Sequence, residues 1–205
     1  MLGKTHMVVG MAAALTFTQP ATIPELILSI GGGSFGALIS DIDSGTSDSH
    51  RDADRVTLIT GGIVAGALAL DYFFDAGIVT RVLQNSGYEH IIIGLLLFIG
   101  ICAFGKEQPH RSFMHSFLAL ILLSSALSLI LEKAVIYFSI GFLSHLVLDI
   151  FNKRKLKLFY PSKKGIAFKL CSANGIVNAL LFKIGACVCI INLVISSIKI
   201  LQASL

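Results

Sequence analysis

Apolar runs separated by short polar breaks account for most of this chain. A first helix is expected from about Thr5 to Thr18, ended by Gln19-Pro-Ala-Thr-Ile-Pro24, because proline cannot continue a helix and restrains its neighbour. A second is expected from Pro24 to Ile42, with Glu25 in its first turn and Gly31-Gly-Gly33 and Gly36 as small positions that let a neighbouring helix approach. A polar loop over 43–55 then precedes a third span over 56–74 and a mildly amphipathic connection over 75–87. A fourth span covers Tyr88 to Phe104, a fifth Phe113 to Leu131, a sixth Ala134 to Phe151, and a final run Val177 to Ile198. Strict alternation is absent, so the pattern points to an all-α bundle and not to a membrane β-barrel.

Composition turns those helices into membrane helices. Of the 205 residues 55% are hydrophobic and 14% charged, with a mean hydropathy of +0.83. A soluble domain carries roughly a quarter charged residues. Runs of about 18 apolar residues are long enough to cross a bilayer. The expected architecture is therefore a polytopic membrane bundle of about six to seven hydrophobic helices, forming one domain over 1–205. No small-residue cleavage site follows the first run cleanly, so that run is expected to stay in the mature protein. Cys102, Cys171, Cys187 and Cys189 have no metal or redox spacing and read as reduced thiols in apolar runs.

Charge sets the orientation. Twelve of the 16 Lys and Arg residues fall before His6 or in 43–55, 105–112 and 152–169, segments that alternate onto one side. By the positive-inside rule that side is cytoplasmic. The net charge of +4 comes mainly from Lys153 to Lys164 and speaks to anionic lipid headgroups, with no nucleic-acid partner implied.

The unusual polar residues gather on that same side. His6 starts the first helix, Asp41 and Asp43 end the second, His110 and His115 open the fifth, and His145 and Asp149 end the sixth. From the Glu132-Lys133 turn, His115 lies 17 residues back and Asp149 16 forward, so at about 1.5 Å per residue they are nearly level. His145 and Asp149, four residues apart, share a helix face. Ionisable groups at membrane depth are costly and mark partners, protons or metals. Each residue alone has a bland interpretation, as an interior histidine or a solvated helix end; together they point to a site. Imidazole with carboxylate suits a divalent Zn, Mn or Fe ion, able to make hydroxide available near neutrality. His6, Asp41, His115, His145 and Asp149 are the expected ligands, Asp43 or His110 a base or further ligand, and Arg111 a holder of an anionic phosphoryl group. His50 is expected to be solvated, Glu89-His90 interfacial on the far side, and Asp71 a structural partner.

Thr5-His6 with Gly10, Asp41-Ile-Asp43-Ser44, His110-Arg-Ser-Phe-Met-His115-Ser116, Gly141-Phe-Leu-Ser-His145-Leu-Val-Leu-Asp149 and Leu158-Phe-Tyr-Pro161 occur in this order. Together they resemble a bacterial inner-membrane family described as metal-dependent hydrolases, of the LexA-regulated type. The resemblance covers about residues 5–165 and departs at Ser40, where that family usually has a proline before its Asp pair. It implies the same seven His and Asp positions as metal or catalytic residues. Arg111 with His145-x-x-x-Asp149 also resembles membrane phosphatases of the lipid-phosphate type, but the upstream lysine-arginine-proline signature is missing. The expected function is a metal-dependent hydrolase acting on a phosphoester of a lipid or other amphipathic substrate at the cytoplasmic membrane face. The competing expectation is a non-enzymatic carrier or scaffold using the cluster as a proton relay. Substrate and oligomeric state are not legible.

Overall fold

A computed structural model describes residues 1–44, 72, 88–172 and 175–203. Among these are six α-helices: α1 (Gly3–Thr18), α2 (Ile23–Ile39), α3 (Glu89–Lys106), α4 (Phe117–Leu131), α5 (Val135–Ile150) and α6 (Ile176–Ala203). The expected span over 56–74, the connection over 75–87, His50 and Asp71 lie outside the described residues.

Local chemistry fixes the helix ends. The Thr22 side chain accepts from the Glu25 N–H at 3.4 Å, and the Glu25 carboxylate accepts from the Ala21 N–H at 2.9 Å. That reciprocal cap, with Pro24 in the first turn, starts α2 where the sequence placed it. At its other end α2 tightens into a 3-10 turn, Ser40–Asp43, which carries both aspartates.

Three helices make the centre. α1 runs antiparallel to α2, and α5 parallel to α2, along seams of small residues. A Cβ added at Gly141 would strike the Gly33 carbonyl, and one at Gly36 the Phe138 carbonyl. At Gly33 it would stand 2.6 Å from the Ala14 Cβ. Gly33, Gly36 and Gly141 therefore set how closely the three backbones meet, whereas Gly31 faces open space. Phe35, Phe98 and Phe138 cluster between α2, α3 and α5 at centroid distances of 5.9–6.1 Å, Phe98 stacked on Phe35 and edge-on to Phe138. α6 lies along α1, its Cys189 thiol bonding the Val8 carbonyl.

The exposure profile is that of a membrane protein. Ile27, Ile121 and Ile190 are all about three-fifths exposed, while His6, His115, His145 and Asp149 are buried. Large apolar faces turned outward around a polar interior suit lipid as the surrounding medium.

The count of spans needs correction. Four described helical stretches are long and apolar enough to cross a membrane: Ile23–Asp43, Glu89–Lys106, Phe117–Ile150 and Ile176–Ala203. The estimate of about six to seven exceeds this. Phe117–Ile150 folds back at Glu132–Ala134, where Ser124 and Ser139 bond across the hairpin at 3.0 Å. At 15 and 16 residues its arms reach only about 23–24 Å each, short of a hydrocarbon core of about 30 Å, and the 16-residue α1 is equally short. Among the cysteines, Cys187 is exposed and the other three are buried; all four are free.

Candidate metal centre

Hairpin closure at Glu132–Ala134 brings the start of α4 and the end of α5 side by side, at the end of the bundle where α2 finishes and α1 begins. All seven His and Asp candidates converge there. Within this cluster the ligating atoms of three triads each lie within 4.8 Å of one another: His6, His145 and Asp149; Asp41, His115 and His145; Asp43, His110 and His115.

The segment from His110 to Ser116 is not the first turn of a helix, as its apolar continuation suggested. Arg111 adopts a left-handed backbone at φ 66°, a conformation costly for a side chain with a Cβ. The Ser112 hydroxyl bonds the Pro109 carbonyl, Phe113–His115 form a 3-10 turn, and α4 begins only after Ser116, whose hydroxyl accepts from the Ala119 N–H at 3.2 Å. The loop carries His115 into the interior, where it is fully buried.

The innermost contact is between His115 and His145, whose Nε2 atoms stand 3.2 Å apart. His145 Nδ1–H donates to the Ala37 carbonyl at 2.6 Å, which leaves Nε2 as its lone-pair end. His115 Nδ1 lies 3.3 Å from Asp43 Oδ2, an electrostatic contact without hydrogen-bond alignment. Two carboxylates complete the group. Asp41 Oδ1 is 3.7 Å from His115 Nε2 and 3.8 Å from His145 Nε2. Asp149 Oδ2 is 3.7 and 3.9 Å from the same two atoms. Donors about 2.0–2.1 Å from a tetrahedral ion are separated by about 3.3–3.4 Å. The two Nε2 atoms with Asp41 Oδ1 form a triangle only a few tenths of an ångström wider than that, a set of three donors suited to a divalent cation, and Asp149 Oδ2 is the carboxylate oxygen next to the same pair of imidazoles. The carboxylate behind His115 and the carbonyl behind His145 are the partners that metal-bound imidazoles ordinarily have.

Asp149 is the hub. Its Oδ1 is 3.3 Å from His6 Nε2 and 3.2 Å from the Met1 main-chain nitrogen, and it accepts from Asn152 Nδ2 at 2.9 Å. Its Oδ2 pairs with Arg111 Nη2 at 2.8 Å. The His6 ring stacks on His145 at 3.9 Å between centroids, so His6 supports both Asp149 and His145 from behind.

Asp43 ties the rim to the interior. It pairs with His110 Nδ1 at 2.7 Å through Oδ1 and accepts the Arg111 N–H at 3.0 Å through Oδ2. His110 is the least enclosed of the cluster's four histidines, its side chain about a third exposed. Burial opposes charge on His115, but Asp43, Asp41 and Asp149 outweigh it and hold this imidazole above its ordinary pKa.

Three partners escaped the sequence reading. Asn152 follows Asp149 by one helical turn, a spacing that could have marked it, but it looked like the first residue of a basic loop. The Ala37 carbonyl has no side-chain signature at all. The basic segment, read from the sequence only as a charged loop facing lipid headgroups, also packs inward: Leu156 and Leu158 are buried, Leu156 pairs with Ile166, the Lys157 N–H donates to the Arg111 carbonyl, and the Leu158 carbonyl accepts from the Phe117 N–H. It clamps the loop that presents the histidines. No curated protein and no solved structure matches the chain. The family model described as YdjM inner membrane protein matches residues 1–203, and the chain belongs to that family of inner-membrane proteins.

Proposed function

We propose that this protein is a metal-dependent hydrolase that cleaves a phosphoester of a lipid or amphipathic substrate at the cytoplasmic face of the inner membrane. The observation that carries this reading is the approach of His115 Nε2 and His145 Nε2 to 3.2 Å, with two carboxylate oxygens within 3.9 Å of both. Asp41, His115, His145 and Asp149 would hold the ion, with His6 and Asn152 fixing Asp149 and Asp43 fixing His115. A divalent ion bound there lowers the pKa of a water toward neutrality and polarises a phosphoryl oxygen.

The chain's own residues supply the rest. His110, oriented by Asp43 and partly exposed, is the proton-transferring group at the rim, an arrangement suited to general acid–base work. Arg111 uses two guanidinium N–H groups within the protein, on Asp149 and the Arg154 carbonyl, so its first role is to brace the ligand carboxylate. The positive-inside bias and the basic segment support a cytoplasmic orientation and an anionic, membrane-borne substrate.

The test is hydrolysis of a soluble aryl phosphate and of a short-chain lipid phosphate by detergent-purified protein, wild type beside His110→Ala. Metal-dependent turnover that falls by about 10²–10⁴-fold in the variant, with metal content unchanged, supports the reading. Absence of turnover in metal-replete protein on both substrates contradicts it and favours the relay.

A further inference from the structure

A cavity of about 360 Å³ opens beside the cluster, walled in part by His110, Arg111, Asn152, Lys153 and Arg154. Its described lining includes three permanent cations and no carboxylate. Lys153 and Arg154 have exposed side chains with no carboxylate partner among the described residues, in contrast to Lys106, which lies 3.7 Å from Glu107. Arg111 Nε is buried on the same wall with no hydrogen-bond partner, an unused donor that a bound acceptor would satisfy.

These cations sit on ordered backbone. The pairing of Asn152 with Cys171 and of Leu156 with Ile166 holds the segment in a folded loop, and the Arg154 carbonyl is fixed by Arg111 Nη1 at 3.0 Å. An excess of positive charge on a concave, backbone-anchored wall is what recognition of a compact anion requires.

We infer that this cavity receives a phosphoryl group, and that Lys153 and Arg154 are the residues that select for it. The inference deepens the hydrolase reading and rests on it for the identity of the anion as a phosphoester. A lipid headgroup and free phosphate present the same chemistry to these side chains. Both side chains are exposed, and Arg154 braces Arg111 through its carbonyl alone, so Lys153→Gln and Arg154→Gln leave the metal cluster's contacts in place.

The experiment is calorimetric titration of the full chain in detergent, stripped with EDTA so that no metal contributes. The probes are inorganic phosphate, dihexanoyl phosphatidic acid and, as a control without net charge, dihexanoyl phosphatidylcholine. Saturable binding is expected for the phosphate-bearing anions. It should weaken by roughly tenfold or more in the Lys153→Gln/Arg154→Gln variant, the loss of about one charge-assisted hydrogen bond, and persist in Lys153→Arg/Arg154→Lys. Phosphatidic acid binding well above phosphate supports the inference with a lipid source, and equal binding supports it with a soluble one. Equal binding of phosphatidylcholine and phosphatidic acid, or unchanged affinity in the double Gln variant, overturns it. Metal content and hydrolysis measured on the same proteins in metal-replete form, without EDTA treatment, separate the two readings. Phosphate binding lost in the variant while wild type shows neither metal nor turnover would sink the hydrolase reading and leave this one standing.

Discussion

His115 and His145 present Nε2 to Nε2 at 3.2 Å, although one lies in a 3-10 turn before α4 and the other near the end of α5. Two imidazole lone pairs facing each other at this distance repel, so a proton or a cation between them is the natural occupant. The partners behind each ring bear on which. Ala37 takes the Nδ1–H of His145, and Asp43 stands against Nδ1 of His115. Both rings are thereby turned with their free ends inward.

Asp43 acts through His115, so its removal should weaken metal binding without abolishing it. For Asp43→Asn the metal affinity is expected to fall by about 10–100-fold, the usual cost of losing the group behind a ligand histidine. Competition titration with a chelating dye measures it. Unchanged affinity would mean that Asp43 serves only the loop.

Stability of the metal-free protein should carry the signature of His115. Its folded-state pKa is raised, so its contribution is complete below the ordinary imidazole value of about 6.5 and lost as pH rises through the raised value. In EDTA, the Tm advantage of wild type over His115→Gln is expected to shrink as pH is taken from 6 to 9. Added metal should restore it at the alkaline end, because the ion replaces the proton. A Tm difference that grows with pH in EDTA would contradict the charge assignment.

The central seam predicts a contrast between two glycines. Gly141→Ala drives a methyl group into the Gly33 carbonyl and should cost about 1–3 kcal/mol, seen as a lower Tm with weakened metal retention. Gly100→Ala on α3 meets nothing within 4 Å and should be neutral or slightly stabilising, by up to about 1 kcal/mol from helix propensity. Equal effects at the two positions would mean that the seam does not hold the site together.

How much of this was legible follows from what each feature depends on. Hydrophobic runs gave α2, α3 and α5 nearly to the residue, because prolines, a capping threonine and lipid-length apolar stretches are written locally. The level placement of His115 and Asp149 followed from counting away from the Glu132-Lys133 turn, and their side-chain atoms do meet. The number of full spans did not follow, because hydropathy cannot tell a hairpin of short arms from two complete crossings. The loop from His110 to Ser116 was misplaced onto a helix for a related reason. Its backbone is set by Arg111's contacts with Asp43, Asp149 and Lys157, all distant in sequence. Asn152 and the Ala37 carbonyl were invisible because their roles exist only once α2 and α5 are packed together.

The most direct measurement is elemental analysis of detergent-purified protein, wild type beside His115→Ala and Asp149→Ala. A divalent transition metal at about one ion per chain or more in wild type, lost from both variants while helical content is retained, is the expected result. Wild type that is folded yet free of metal after reconstitution, or variants that keep it, would contradict the metal centre and leave the cluster as a proton relay.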